Sequence, residues 1–172
     1  EAADGLLESQ KWSVVIMRRW FSTMVFLAVF STMTAAAASV PDEEVSLGGV
    51  YYGASIDYVR GIYGAPSKVS TTNQHPLWRG WIDTYHYGGT IDLTFCNALM
   101  IHADCKGNNG WATPAGITVG MDRGTVLRLY GEPDRKEKGN FFYQSESNDH
   151  IGIKFVFNGA GKIASIHIGL FD

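Results

Sequence analysis

The feature that most constrains this chain is that part of it occurs twice. Residues 49–66 align without a gap on residues 116–133, at a constant spacing of 67. Gly49, Gly53, Val59, Tyr63, Gly64 and Pro66 recur as Gly116, Gly120, Val126, Tyr130, Gly131 and Pro133. A repeat fixes the order of the argument, because each copy must fold the same way and find a neighbour for its apolar face. A unit of about 60 residues is marginal on its own, so the copies are expected to share an interface or one continuous sheet.

Each copy predicts a short helix followed by an antiparallel meander of three to four strands, an α+β fold. Ser55 and Asp122 are N-cap types at equivalent positions, where a side-chain oxygen can accept a free backbone N–H. Val59, Ile62 and Tyr63 fall on one helical face, as do Val126, Leu129 and Tyr130. Met121, before its cap, is placed to staple onto Val126. Gly64 and Gly131 supply the left-handed stop, and Pro66 and Pro133 prevent continuation. Strands are expected over 68–72, 77–87, 90–96 and 99–104 in the first copy, and over 140–145, 151–157 and 162–168 in the second. Ile91, Leu93 and Phe95 alternate with Asp92 and Thr94, and Ile151, Ile153, Phe155 and Phe157 alternate likewise. That is the pattern of a sheet with one buried face. Gly88-Gly89 and Asn158-Gly159 are hairpin turns. The repeats are bounded as 49–105 and 116–172, with linkers at 39–48 and 106–115.

The first part of the chain reads as an address. Met17-Arg18-Arg19 opens a basic region, an apolar run follows from Trp20 to Phe30, and Ala36-Ala37-Ala38 offers a small-residue cleavage site. Residues 17–38 are therefore expected to be a secretory signal peptide, with the mature chain starting at Ser39. Retention of the same segment as a membrane anchor is the alternative. The cysteine that a lipid anchor needs is missing near the site. Residues 1–16 are read as an upstream or non-native extension. The expected location is exported, in the periplasm or the extracellular medium. A membrane contact enters only if the signal is retained.

The net charge of −3, from 14 basic and 17 acidic residues, argues against a nucleic-acid binder driven by phosphate contacts. With hydrophobic residues at 45%, the chain is too apolar and too weakly charged to be intrinsically disordered.

The run from Gly116-Ile117-Thr118-Val119-Gly120-Met121 through Val126, Tyr130-Gly131 and Pro133 resembles the motif of the BamE (small protein A) envelope family. Doubling of such a unit in an exported chain is similar to the architecture of the β-lactamase inhibitor protein family. The motif encodes a helix entry and exit, so it implies shape and not chemistry. The inhibitor resemblance implies a paired sheet surface that grips another protein.

Aromatic residues give the main functional signal. Trp78, Trp81, Tyr85 and Tyr87 share one run of the first copy, and Phe141, Phe142 and Tyr143 lie in a comparable run of the second. Rigid aromatics anchor protein interfaces because they bury a large area at little entropic cost. The competing reading, preferred for most of them, is that they fill the core or the joint between the copies. Trp78, beside Pro76-Leu77, and Trp111, in the linker, are expected on the surface. The candidate binding set is Trp78, Trp81, Tyr85, Tyr87, Trp111, Phe142 and Tyr143.

Two outcomes are open for Cys96 and Cys105. An exported protein meets oxidising conditions, which favours a disulfide. A turn at Asn97-Ala98 would instead leave Cys105 about 20 Å along the strand, beyond a disulfide's reach. His102, Asp104, Cys105 and Cys96 match no standard metal spacing, so no metal is expected. His75, His86, His150 and His167 are scattered, and there is no G-x-S-x-G, H-E-x-x-H or phosphate loop. No catalytic residue and no cofactor is assigned. The run Arg135-Lys136-Glu137-Lys138 is read as a solvated turn, with a charged rim around a binding surface as the second choice.

The sequence thus points to an exported, non-enzymatic protein that binds another protein through an aromatic-rich sheet or loop surface, in the manner of an inhibitor. The alternatives are a BamE-type envelope assembly or maintenance factor, and an enzyme with an unrecognised site around His86 or His102.

Overall fold

A computed structural model describes residues 39–72 and 80–171. The expected signal segment 17–38, the extension 1–16 and Trp78 lie outside the described residues. No helix among the described residues is long and apolar enough to cross a membrane.

The two helices, α1 (Ile56–Tyr63) and α2 (Arg123–Tyr130), occupy the repeated motif. Ser55 Oγ accepts the Tyr58 N–H at 3.1 Å and so satisfies one free donor of the first turn. Asp122 has the same extended backbone but makes no cap bond. Its carboxylate turns instead to the Lys162 ammonium, 3.3 Å away, where the two residues form an isolated bridge. Both helices stop alike. Gly64 (φ 73°) and Gly131 (φ 75°) enter the left-handed region and return their N–H groups to the carbonyls of Arg60 and Leu127.

A small hairpin, β1 (Ser46–Leu47) and β2 (Val50–Tyr51), precedes α1. The remaining strands form one antiparallel sheet of eight. The first copy contributes β3 (Lys68–Thr72), β4 (Ile82–Tyr87), β5 (Ile91–Cys96) and β6 (Leu99–Cys105). The second contributes β7 (Arg135–Glu137), β8 (Asn140–Gln144), β9 (Ile151–Phe157) and β10 (Ile163–Leu170). The spatial order is β3-β4-β5-β6-β10-β9-β8-β7. Each copy is a four-stranded meander, and the two meet along their last strands. The seam pairs Ile166 with Cys105, His167 with Asp104, Ile168 with Ala103 and Gly169 with His102.

Two strands differ from the sequence reading. β4 starts at Ile82, so Trp81 lies just outside it. The Arg135–Lys138 run is not a free turn: Arg135–Glu137 is the edge strand β7, paired with β8. Three exposed charged residues give no alternation to read, yet charge suits an edge that must not recruit another chain.

One face of the sheet carries the core. Leu93 and Phe95, Met100 and Ala103, Ile166 and Ile168, Ile153 and Phe155, and Tyr143 pack with Val59 of α1 and Val126 of α2. Residues of this type are each worth about 1.5–3 kcal/mol when removed from water. Irregularities in β6 and β10 repeat between the copies: core positions run 100, 103, 105 in one and 163, 166, 168 in the other. The stretches expected as linkers also belong to the core. Val40, Val45 and Leu47 are buried, and so are Trp111 and Thr113. Gly48 N–H donates to Ala112 O at 2.9 Å and ties one stretch to the other.

Candidate binding face

Strand alternation that sends Leu93, Phe155 and Ile166 inward sends every second residue to the opposite face. Among the described residues no helix packs on that face. A single line of cross-strand partners runs over it from edge to edge: Lys68, His86, Asp92, Asp104, His167, Lys154, Phe142 and Arg135. The line maps onto itself when the copies are exchanged. Lys68 matches Arg135 at the outer edges, and Asp104 matches His167 at the centre. Asp104 and His167 are thus each other's counterparts, facing across the seam.

The polar groups of this line bond to one another. Asp92 Oδ1 lies 2.7 Å from His86 Nδ1, and its Oδ2 accepts the Lys106 ammonium at 2.7 Å. Burial opposes ionisation of Asp92, but Lys106 and His86 outweigh it and hold the carboxyl below its ordinary value. The hydrogen bond to Asp92 in turn pushes the Lys106 ammonium upward. At the seam, His102 Nε2 lies 3.1 Å from Asp104 Oδ1, and His167 Nδ1 bonds to the same oxygen. Burial again opposes ionisation of Asp104, and the two imidazoles override it, keeping the carboxyl well below the usual carboxylate range.

Two serines complete a connectivity familiar from hydrolases. Ser70 Oγ is 3.0 Å from His86 Nε2, and Ser165 Oγ is 2.7 Å from His167 Nε2. Each histidine holds an aspartate on its other nitrogen. Acyl transfer also needs donors aimed at a developing oxyanion. Around His167 the backbone is paired on both sides of β10, whereas Ser70 stands on the edge strand β3, which is paired with β4 alone. Two hollows among the described residues lie elsewhere. One, of about 190 Å³, is bounded by Arg135, Phe142, Lys154 and Phe171 at the β7–β9 end of the open face. The other, of about 440 Å³, lies beside Asp42, Tyr51 and Ser145. Neither includes His86 or His102.

The aromatic candidates scatter. Trp81 is 61% exposed. Trp111, expected on the surface, is buried and stacks on Tyr63 with ring centroids 4.6 Å apart. It fills the gap under α1 that the linker crosses. Tyr85 packs against Phe95 in the core, and Tyr87 is half-buried against Tyr63. Tyr143 is fully buried. Phe142 is buried on the open face, where Phe171 meets it edge-on at 5.0 Å and the Arg135 guanidinium lies 4.7 Å over its ring. The two cysteines are free and buried. Cys96 and Cys105 occupy opposite ends of the β5–β6 hairpin, and the irregularity in β6 puts Cys105 on the core face while Cys96 is on the other.

Sequence reasoning missed the convergence of His167 on His102 and Asp104. His102 and Asp104 have the spacing of one strand face, but His167 joins them only through the β6–β10 register.

No protein family model and no curated protein matches the sequence. Solved structures resemble it in fold. A cysteine-rich secretory protein from Staphylococcus aureus subsp. aureus Mu50 superposes with a TM-score of 0.52 at 13% identity, over 77% of this chain and 49% of that one. An extracellular protein containing an SCP domain from Bacillus anthracis str. Ames gives 0.49 at 10% identity, over 83% and 49%. A candidate β-lactamase inhibitor protein from Streptococcus mutans gives 0.32 at 16% identity, over 64% and 79%. The chain spans about half the length of the first two. The likeness to the first is one of fold.

Proposed function

We propose that this is an exported, non-enzymatic protein that binds another protein through the open face of its eight-stranded sheet. One observation carries the reading: the line of eight paired residues from Lys68 to Arg135 crosses a face that no described helix covers. An array of polar and charged groups of both signs selects a partner by electrostatic complementarity. Its carboxylates at Asp92 and Asp104 disfavour a polyanion such as nucleic acid. Phe142 and Phe171 supply an apolar end to the same face, and Trp81 is an exposed aromatic for the rim. Inhibition of an enzyme is the form of binding that the resemblance to the β-lactamase inhibitor protein family implies. Export rests on the basic, apolar and small-residue order of 17–38.

Site-specific photo-crosslinking in the producing cells tests this. A crosslinker at Thr94 or Lys154 should capture one and the same protein, and the substitution Lys68→Glu should lower the yield. A crosslinker at Arg60, on the exposed side of α1, should not capture it. Capture from Arg60 alone would refute the sheet-face reading.

A further inference from the structure

The geometry points to a binding site for a divalent first-row metal ion at the seam of the two copies, with His102, Asp104 and His167 as ligands. Two imidazoles and one carboxylate with open positions suit zinc and also ferrous iron, and zinc is the ion used in the test. The ligand atoms all lie within 4.8 Å of one another. His102 and Asp104 stand two apart on β6, so both project from the open face, and His167 faces Asp104 from β10. Two ring nitrogens, His102 Nε2 and His167 Nδ1, converge on one oxygen, Asp104 Oδ1.

Three considerations favour a metal over a purely structural cluster. Bonds of 2.0–2.1 Å at tetrahedral angles separate ligand atoms by about 3.3 Å. The His102 Nε2 to Asp104 Oδ1 separation of 3.1 Å is close to that, while His167 Nδ1, hydrogen-bonded to the same oxygen, has to draw back to admit an ion. The ligands also sit on the two central strands of an eight-stranded sheet, each paired on both sides, which fixes them before any ion arrives. Finally, the outer shell is in place. Ser165 Oγ, 2.7 Å from His167 Nε2, can orient that ring by accepting its remaining proton once Nδ1 binds metal. Phe171 lies edge-on to His102 at 5.3 Å and walls one side. Two neutral imidazoles and one carboxylate leave a single negative charge against the dication. Lys106 is engaged by Asp92, and Lys154 is the cross-strand neighbour of His167 on the same face. Three ligands on a sheet face leave the remaining coordination positions turned outward, where solvent fills them.

The test uses the full chain. Zinc affinity is measured by competition with a chromophoric chelator, and Co²⁺ serves as a visible-spectrum probe of coordination. Wild type should bind one equivalent and give the d–d bands of low coordination number. Nitrogen-15 NMR should report metal on His102 Nε2 and His167 Nδ1. His102→Gln and His167→Gln should each weaken binding more than Ser165→Ala, which keeps all three ligands and should weaken it about 10-fold. His150→Gln, remote from the site, should leave it unchanged. Wild-type affinity equal to that of the His102→Gln/His167→Gln double variant would overturn the proposal. So would NMR shifts confined to His150. Because Ser165→Ala removes only one hydroxyl, its result stands even if a ligand variant fails to fold.

Discussion

Tyr87 and Tyr143 make the same hydrogen bond in the two copies. Tyr87, on β4, donates its phenolic O–H to the carbonyl of Gly64 at 3.2 Å. Tyr143, on β8, donates to the carbonyl of Gly131 at 2.9 Å. Each tyrosine thus ties the end of its own helix to the second strand of its own meander. The two halves of the sheet carry the same joint between helix and strand.

The two joints differ in burial, and this gives the first prediction. Tyr143 is fully buried, whereas the Tyr87 bond is exposed. A net intramolecular hydrogen bond is worth about 0.5–1.5 kcal/mol, and the part-buried Tyr143 bond belongs at the upper end of that range. Tyr143→Phe should therefore destabilise the protein by about 1–2 kcal/mol and Tyr87→Phe by less than about 1 kcal/mol. Urea unfolding of each variant, read as a shift in midpoint at constant slope, checks the order.

The seam between the copies depends on Gly169. Its φ is 123°, and an added Cβ would lie 2.2 Å from the Ile101 carbonyl oxygen on β6. That oxygen belongs to the backbone and cannot swing aside. Gly169→Ala should cost about 1–3 kcal/mol through overpacking. Gly159→Ala, where nothing lies within 4 Å, should change stability by less than about 0.5 kcal/mol. Equal midpoints for the two variants would contradict the close approach.

What could be read in the sequence was local or periodic. The helix stops at Gly64 and Gly131 are chain-local devices, and the alternation in β5 and β9 marks a one-sided sheet. Hidden features needed partners distant in sequence. β7 has no apolar residue to announce it. Trp111 is buried by Tyr63, 48 positions away, and a linker composition gives no hint of that. His167 meets Asp104 only because the two meanders join at β6 and β10 and not at their outer strands. The N-cap type at Asp122 was legible, but the competing cation on Lys162 was not.

Cys96 and Cys105 should behave as two protected thiols. Both are buried, and burial pushes the Cys105 thiol up despite its contacts with Gly107 O and Asn109 Oδ1. The thiolate is the reactive species, so alkylation of the native protein should be slow. Intact-mass measurement after iodoacetamide should show no adduct in the folded state within minutes and two adducts in denaturant. A mass two hydrogen atoms lighter, with no adduct in denaturant, would show that the chain rearranges to form the bridge.

The last prediction concerns acid. Asp42 lies where residues 40–45 cross the end of β8, with Val40 N–H donating to Gln144 O at 2.7 Å. Its carboxylate accepts from the Ser145 hydroxyl and from the Ser147 N–H. The Ser145 bond, then Ser147, draws its pKa below 3.8 against a small opposing effect of burial. A carboxyl that is more acidic folded than unfolded binds fewer protons in the folded state. Its contribution to stability is therefore complete above the ordinary carboxylate value and lost as pH falls through the folded value. Because Glu43, Glu44 and Glu146 also carry carboxyls in this region, the Asp42 carboxyl carbon must be followed individually by carbon-13 NMR. Asp42 should titrate below 3.8 in wild type, and Ser145→Ala should move it back toward that figure. The acid limb of the stability curve should flatten slightly in Asp42→Asn. An Asp42 that titrates at or above the ordinary value in wild type would show that the N-terminal crossing is not held by this carboxylate.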